Sequence, residues 1–216
     1  MLEKKIIGAK RELVKYAWLI ENMIKDVVEG LIAKDKDMLE KVLKKDEPEA
    51  DNKELVLDKL CMTLIVKYSP MAKDLRTILM IMRINNDLER IGDLSTKIGH
   101  SALFLIGRPQ VKPLIDIPRM ADIASAMLND SINSFVKEDS AVAKDVLLRD
   151  DTVDALRDQI LRELITFMGA DPKTIDRSLR LLSISNSLER IADLATNIAE
   201  NVIFIVEGKV VKHQTL

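Results

Sequence analysis

Apolar residues recur at intervals of three and four along most of the chain, the spacing that gives a helix one apolar stripe. Between 88 and 105 the stripe reads Leu88, Ile91, Ser95, Ile98, Ala102 and Leu105, the seam of a helical bundle. Proline and glycine punctuate the pattern at Ser69-Pro70, at Gly107, Pro109, Pro113 and Pro118, at Gly169 and Pro172, and at Gly208. Six helices are predicted between these breaks: Leu2 to Ala33, Asp37 to Tyr68, Ala72 to Ile106, Pro118 to Val136, Ser140 to Met168 and Lys173 to Glu207. An Asp-rich turn suits an N-cap for the second helix, and proline is tolerated in the first turn of the fourth. Pro48 falls inside the second helix, where it predicts a kink or an interruption.

The chain repeats itself. Leu-Glu-Arg-Ile-Gly-Asp-Leu at 88–94 answers Leu-Glu-Arg-Ile-Ala-Asp-Leu at 188–194, an offset of 100, and Thr96 and Phe104 find Thr196 and Phe204. Earlier, Lys34-Asp35 and Val42-Leu43 align with Glu138-Asp139 and Val146-Leu147 at an offset of 104, which sets Asp46 on Asp150. The first copy therefore carries four extra residues between Asp46 and Glu89. Four residues are about one helical turn, so the insertion hardly rotates the acidic face beyond it. The expected fold is all-α: two tandem, pseudo-symmetric three-helix bundles with long antiparallel helices. Residues 1–107 form the first unit, 108–118 a linker, 119–208 the second unit and 209–216 a tail.

Composition narrows the function more than the fold. With 216 residues, 47% hydrophobic and 31% charged, the chain can bury a real core. Only 7 glycines and 6 prolines argue against an all-β fold with many tight turns. A formal charge of −2 gives no basic excess for DNA or anionic lipid, and 3% aromatics offer no stacking platform for single-stranded nucleic acid. One cysteine, Cys61, excludes an internal disulfide and a thiolate metal cluster, and its apolar surroundings predict a buried structural thiol. The ten methionines are expected to fill the core. Met1-Leu2-Glu3-Lys4-Lys5 lacks a signal-peptide core, and the longest stretch free of Asp, Glu, Lys and Arg, Ile98 to Gly107, cannot span a bilayer. A cytoplasmic protein with no direct membrane insertion is expected.

The chemistry lies in carboxylates. At about 100° per residue, Glu89 and Asp93 lie together on the side of the third helix away from its seam, flanked by Asn86, with His100 two turns on. The sixth helix repeats the stripe as Asn186, Glu189, Asp193, Asn197 and Glu200. Two carboxylates at i,i+4 repel mildly in an isolated helix. A bound cation would reverse that cost, because oxygen ligands at this spacing can share or bridge a metal. Further pairs, Glu47 with Asp51 and Asp150 with Asp154, sit on the neighbouring helices, the second pair near the edge of its helix's apolar stripe. Whether Glu189 and Asp193 meet Asp150 and Asp154 depends on a rotation that the pattern leaves open. A solvated outer face, with Arg90 and Arg190 offsetting the charge, is the competing reading. No glutamate is followed three residues later by histidine, which disfavours a ferritin-like di-iron enzyme, and there is no nucleophile–base pair, P-loop or dinucleotide fingerprint.

With these residues in view, the chain resembles the PhoU family of phosphate-uptake regulators. The resemblance rests on the doubled motif at 88–93 and 188–193, on Ala195-Thr196-Asn197-Ile198-Ala199-Glu200, and on Ser69-Pro70-Met71-Ala72-Lys73-Asp74-Leu75-Arg76. It implies a non-enzymatic, cytoplasmic negative regulator of phosphate uptake and phosphate-starvation signalling, peripheral to the membrane's inner face through partner proteins. The implied partners are the ATPase subunit of the phosphate ABC transporter, a sensor histidine kinase and a second copy of the chain in a homodimer. It also implies multinuclear iron or zinc sites on E(D)-x-x-x-D motifs. Carried over, these fall on Glu89 and Asp93, on Glu189 and Asp193, and on the second motif as Glu47 with Asp51 and Asp150 with Asp154. Two other readings stand beside it: a helical adaptor that binds no metal, and a metal-dependent phosphohydrolase, which would need a base that the sequence does not supply.

Overall fold

A computed structural model describes residues 2–208; Met1 and the tail at 209–216, with His213, lie outside the described residues. Helix α1 runs Leu2–Ala33 and stops at Lys34, whose φ of 56° is left-handed. The Asp35 N–H then donates to the Gly30 carbonyl at 2.9 Å. The Asp35 carboxylate accepts from the Met38 N–H at 3.0 Å, which starts α2, Lys36–Lys41. The same corner recurs one copy later. Glu138 is left-handed at φ 55°, the Asp139 N–H donates to Ser134 O, and Asp139 caps Ala141 and Val142. The aligned dipeptides Lys34-Asp35 and Glu138-Asp139 are thus one stop-and-restart device used twice. In the first copy Gly30 lets the corner close: a Cβ there would stand 2.8 Å from Leu39 Cδ2.

Pro48 interrupts the α-helical pattern of the second helix, as its position predicts. A π turn at Val42–Asp46 precedes it, and the Glu47 N–H reaches back five residues to Val42 O. In a straight α-helix the proline ring would strike the carbonyl four residues back and leave it without a donor. The wider turn absorbs both problems, and α3 continues as Glu47–Tyr68. After Ser69, Pro70 and Met71 comes α4, Ala72–Ile106. The second copy is α5, Asp116–Lys137, α6, Ser140–Ala170, a 3-10 turn at Pro172–Thr174 and α7, Ile175–Glu207. The expected linker at 108–118 gives up its last residues to α5, whose first turn holds Pro118. Lys112 in that segment is buried and pairs with Asp116 at 3.1 Å and with Glu163 of α6, which pins the connection to the second copy.

At the centre α4 packs along α7 and α1 along α5; α3 covers α1 and α4, and α6 covers α5 and α7. The seam of α4 is buried at Leu88, Ile91, Ser95, Ile98 and Ala102, and α7 repeats it at Leu188, Ile191, Ala195, Ile198 and Val202. Cys61 is buried, and burial pushes its thiol up to about 12. Met23, Met80, Met120 and Met127 lie in the core, whereas Met62 and Met71 face solvent, contrary to a purely core-filling role.

The buried positions locate the four extra residues. Leu39 and Val42 answer Ala143 and Val146, 104 residues on, ahead of the π turn. Beyond it Ala50, Leu57 and Cys61 answer Val153, Ile160 and Leu164, now 103 residues on. The α4 and α7 seams correspond at 100. One extra residue therefore sits in the π turn, and three form the connection Ser69 to Met71, which has no counterpart before Pro172. On this register Glu47 and Asp51 stand for Asp150 and Asp154, and Glu54 stands where the second copy has Arg157.

Candidate functional site

Each copy gathers carboxylates where its outer helix lies against its long last helix. In the second copy α6 supplies Asp150 and Asp154 and α7 supplies Glu189 and Asp193. These four act on one another. Burial raises Asp150 to about 6, with Asp193, Asp154, Asp151 and Glu189 adding to it. Burial raises Glu189 as well, helped by Asp193 and Asp154 and opposed by Arg157. Asp193 rises for the same first reason, with Asp154 raising it and Arg157 and Arg190 lowering it. The rotation left open by the sequence is therefore settled: α7 turns its acidic pair toward α6. Glu189, Asp150 and Asp154 are half-buried in the crevice, whereas Asp193 stays exposed, as do Asp93 and Asp51 in the first copy.

In the first copy α3 supplies Asp51 and Glu54, and α4 supplies Glu89 and Asp93. Burial raises Glu89, with Asp93, Glu54 and Asp51 adding to it and Arg90 opposing. Burial also raises Glu54, followed by Asp58 and Asp51. Asn85 of α4 donates to the Glu54 carbonyl at 3.0 Å, which fixes the height of Glu54 one turn before Glu89. Glu47, at the first residue of α3, is not drawn into this group, and Glu54 takes its place. Sequence reasoning missed Glu54 because the i,i+4 pattern pointed back to Glu47. The available signal was its i,i+3 spacing from Asp51 and i,i+4 spacing from Asp58.

Tyr16 of α1 closes the first cluster from below. Its side chain is 1% exposed, and its hydroxyl is buried without a hydrogen-bond partner. Burial raises its phenol far above the usual range, and Glu54, Glu89, Asp51 and Asp93 all push in the same direction. The equivalent position on α5, 104 residues on, is the fully buried Met120.

Among the described residues no lysine or arginine within 4 Å pairs with Glu89, Asp93, Glu189, Asp193, Asp51 or Glu54. The nearest approach to compensation is Arg157, which lies 3.9 Å from Asp154 and 3.1 Å from Asp158. Nor, among the described residues, are any three His, Cys, Asp or Glu side chains yet close enough to hold one metal ion together. The donor set still fits a hard cation: carboxylate oxygens only, partly desolvated and mutually repelling, opposed by Arg90 in the first group and by Arg157 and Arg190 in the second. His100 is exposed and Glu200 half-exposed, and neither is among the charges that act on the two groups. Asp46, set on Asp150 by the sequence, is buried and paired with Lys41 at 2.9 Å. Among the described residues no helix is long and apolar enough to cross a membrane.

These features define a duplicated all-helical protein with an anionic crevice on each copy. The PhoU domain model matches residues 13–102 and 117–202. The "phosphate-specific transport system accessory protein PhoU homolog" of Aquifex aeolicus is 39% identical over 99% of this chain and 96% of its own length. The homolog 2 of Thermotoga maritima is 32% identical over 98% of this chain and 90% of its own. The crystal structure of PhoU from Pseudomonas aeruginosa superposes with a TM-score of 0.92 at 30% identity, covering 97% of this chain and all of that one. The chain belongs to the PhoU family.

Proposed function

We propose that this chain is an accessory protein of phosphate-specific transport that works by docking, as a negative regulator of phosphate uptake and starvation signalling. The observation that carries the reading is the pair of carboxylate crevices, one per copy and the first without an ion-pair partner within 4 Å among the described residues, on the scaffold of a family whose relatives are named for that transport system. A protein that spent these acids on its own stability would pair them internally. Left mostly unpaired, they are available to a cation or to a basic surface, where charge complementarity speeds and orients encounter. Partners of that kind are the ATPase subunit of a phosphate ABC transporter and a sensor histidine kinase, with the chain acting as a homodimer in the cytoplasm.

Each crevice would hold metal: Glu89 and Asp93 with Asp51 and Glu54 in one, and Glu189 and Asp193 with Asp150 and Asp154 in the other. Glu47, the remaining candidate ligand, would have to swing down from the start of α3 to join. Iron or zinc is the expected metal, held by carboxylate oxygens alone. Bound metal would screen the repulsion and stiffen the crevice. With every crevice carboxylate assigned as a ligand, none is left as a dedicated base, so docking is favoured over phosphoester hydrolysis.

Metal that binds the native state must raise the melting temperature. At about 100 times the dissociation constant the gain is about 2.7 kcal/mol, roughly 5–10 °C for a chain of this size. The variant with Glu89, Asp93, Glu189 and Asp193 changed to Ala should lose both the metal and the shift. In cells, removing the chain should leave phosphate uptake high in phosphate-replete medium. Uptake that stays repressed without it would overturn the regulatory reading.

A further inference from the structure

We propose that the two crevices are unequal, and that the first copy holds the tight cation site because of two substitutions within the repeat. The inference rests on the metal reading above and assigns roles to Glu54, Arg157 and Tyr16. The first difference is an inversion of charge. Counted from the buried positions of α3 and α6, Glu54 and Arg157 occupy the same place. Their effects agree with that placement: Glu54 raises Glu89, whereas Arg157 lowers both Glu189 and Asp193. The first crevice thus has four carboxylates and no cation from α3. The second carries an internal guanidinium, which already does part of the work of a metal. An entering ion there must displace or repel Arg157 and gains less.

The second difference is Tyr16, an unpartnered and fully buried hydroxyl beneath the first cluster, where the second copy has the thioether of Met120. A buried hydroxyl without a partner costs free energy, so its place beside four carboxylates needs a use. Once a cation draws the carboxylates together, the Tyr16 hydroxyl can donate a hydrogen bond to one of them and fix its orientation. Tyr16 is therefore a positioning residue. Outer hydrogen bonds of this type are worth about 10–100-fold in metal affinity. Met120 has nothing to donate.

The test is a zinc titration of the full chain by calorimetry, with the ions located by anomalous scattering in zinc-soaked crystals; zinc is chosen because it has no redox chemistry. The first crevice should fill at lower zinc than the second. Glu54→Arg should weaken the first and Arg157→Glu should strengthen the second, so that the order of filling reverses in the double variant. Tyr16→Phe should weaken the first crevice by about 10–100-fold and leave the second unchanged. The metal-free melting temperature should hold or rise, because no existing hydrogen bond is removed and an unpartnered buried hydroxyl is. Arg157→Gln is the milder companion should Arg157→Glu fail to fold, and it should shift the second crevice in the same direction. Equal filling of the two crevices, prior filling of the second, or a Tyr16→Phe chain that binds as the parent does would overturn the inference. Absence of zinc from both crevices would instead overturn the metal reading on which it stands.

Discussion

Asp150 is the carboxylate on which the fold imposes most. Burial and four acidic neighbours lift it to about 6, against about 3.9 in an unfolded chain. A carboxyl raised on folding makes the native state bind protons more tightly than the unfolded state. Its contribution is most favourable below about pH 4 and is lost as pH rises through about 6. Asp150→Asn keeps the shape and removes the charge. In chelator-treated protein the variant should be the more stable at neutral pH, by about 1 kcal/mol once screening at a half-exposed site is allowed for. The two chains should converge near about pH 4, where Asp150 is already neutral. Urea unfolding at several pH values measures the gap, and a gap that does not vary with pH would remove Asp150 from the cluster.

Among the elements, the connection between the copies is anchored by a buried charged side chain as well as by the Arg177 bond to the Pro109 carbonyl. Lys112 is 8% exposed and meets both Asp116, in the first turn of α5, and Glu163 of α6. Removing one partner of a buried pair leaves an uncompensated charge. Glu163 is partly open to water, so Lys112→Ala should cost about 1–3 kcal/mol. Adding Glu163→Gln should recover part of that loss, and chemical denaturation of the three variants gives the coupling. The helices themselves were legible in the sequence because their apolar stripes are long and their stops are proline, glycine or aspartate. Boundaries such as Ala33, Tyr68 and Ile106 fall where the pattern ends. The π turn was not legible. It appears only as a shift in register, and the four-residue surplus looked like one insertion until the buried positions divided it between two places. The candidate site shared that fate: Glu89, Asp93, Glu189 and Asp193 were visible in the repeat, whereas Glu54 and Tyr16 required knowing which faces α3 and α1 turn toward α4.

At the scale of the whole molecule, the two copies are not beads on a string. The long helices α4 and α7 run against each other and α1 runs against α5, so each copy's apolar surface is completed by the other. Polar contacts rim that contact surface. Glu138, in its left-handed corner, receives Lys73 at 2.9 Å and Lys10 at 3.6 Å. Asn129 donates to Glu21 at 3.0 Å, and Arg83 donates to Asn201 at 3.3 Å. Surface contacts of this kind contribute little each, so the apolar faces of the four helices must supply most of the cohesion. An excised first copy, residues 1–107, would expose those faces as one contiguous patch of the kind that drives association. Because the missing half is a duplicate of the one retained, a second excised copy offers α1 and α4 in place of α5 and α7. The fragment should therefore sediment as a dimer and melt at a temperature that rises with its concentration, while the full chain unfolds in one transition. A fragment that stays monomeric and melts near the full chain's temperature would show that each copy owns a complete core. The packing of α4 along α7 would then add little to stability.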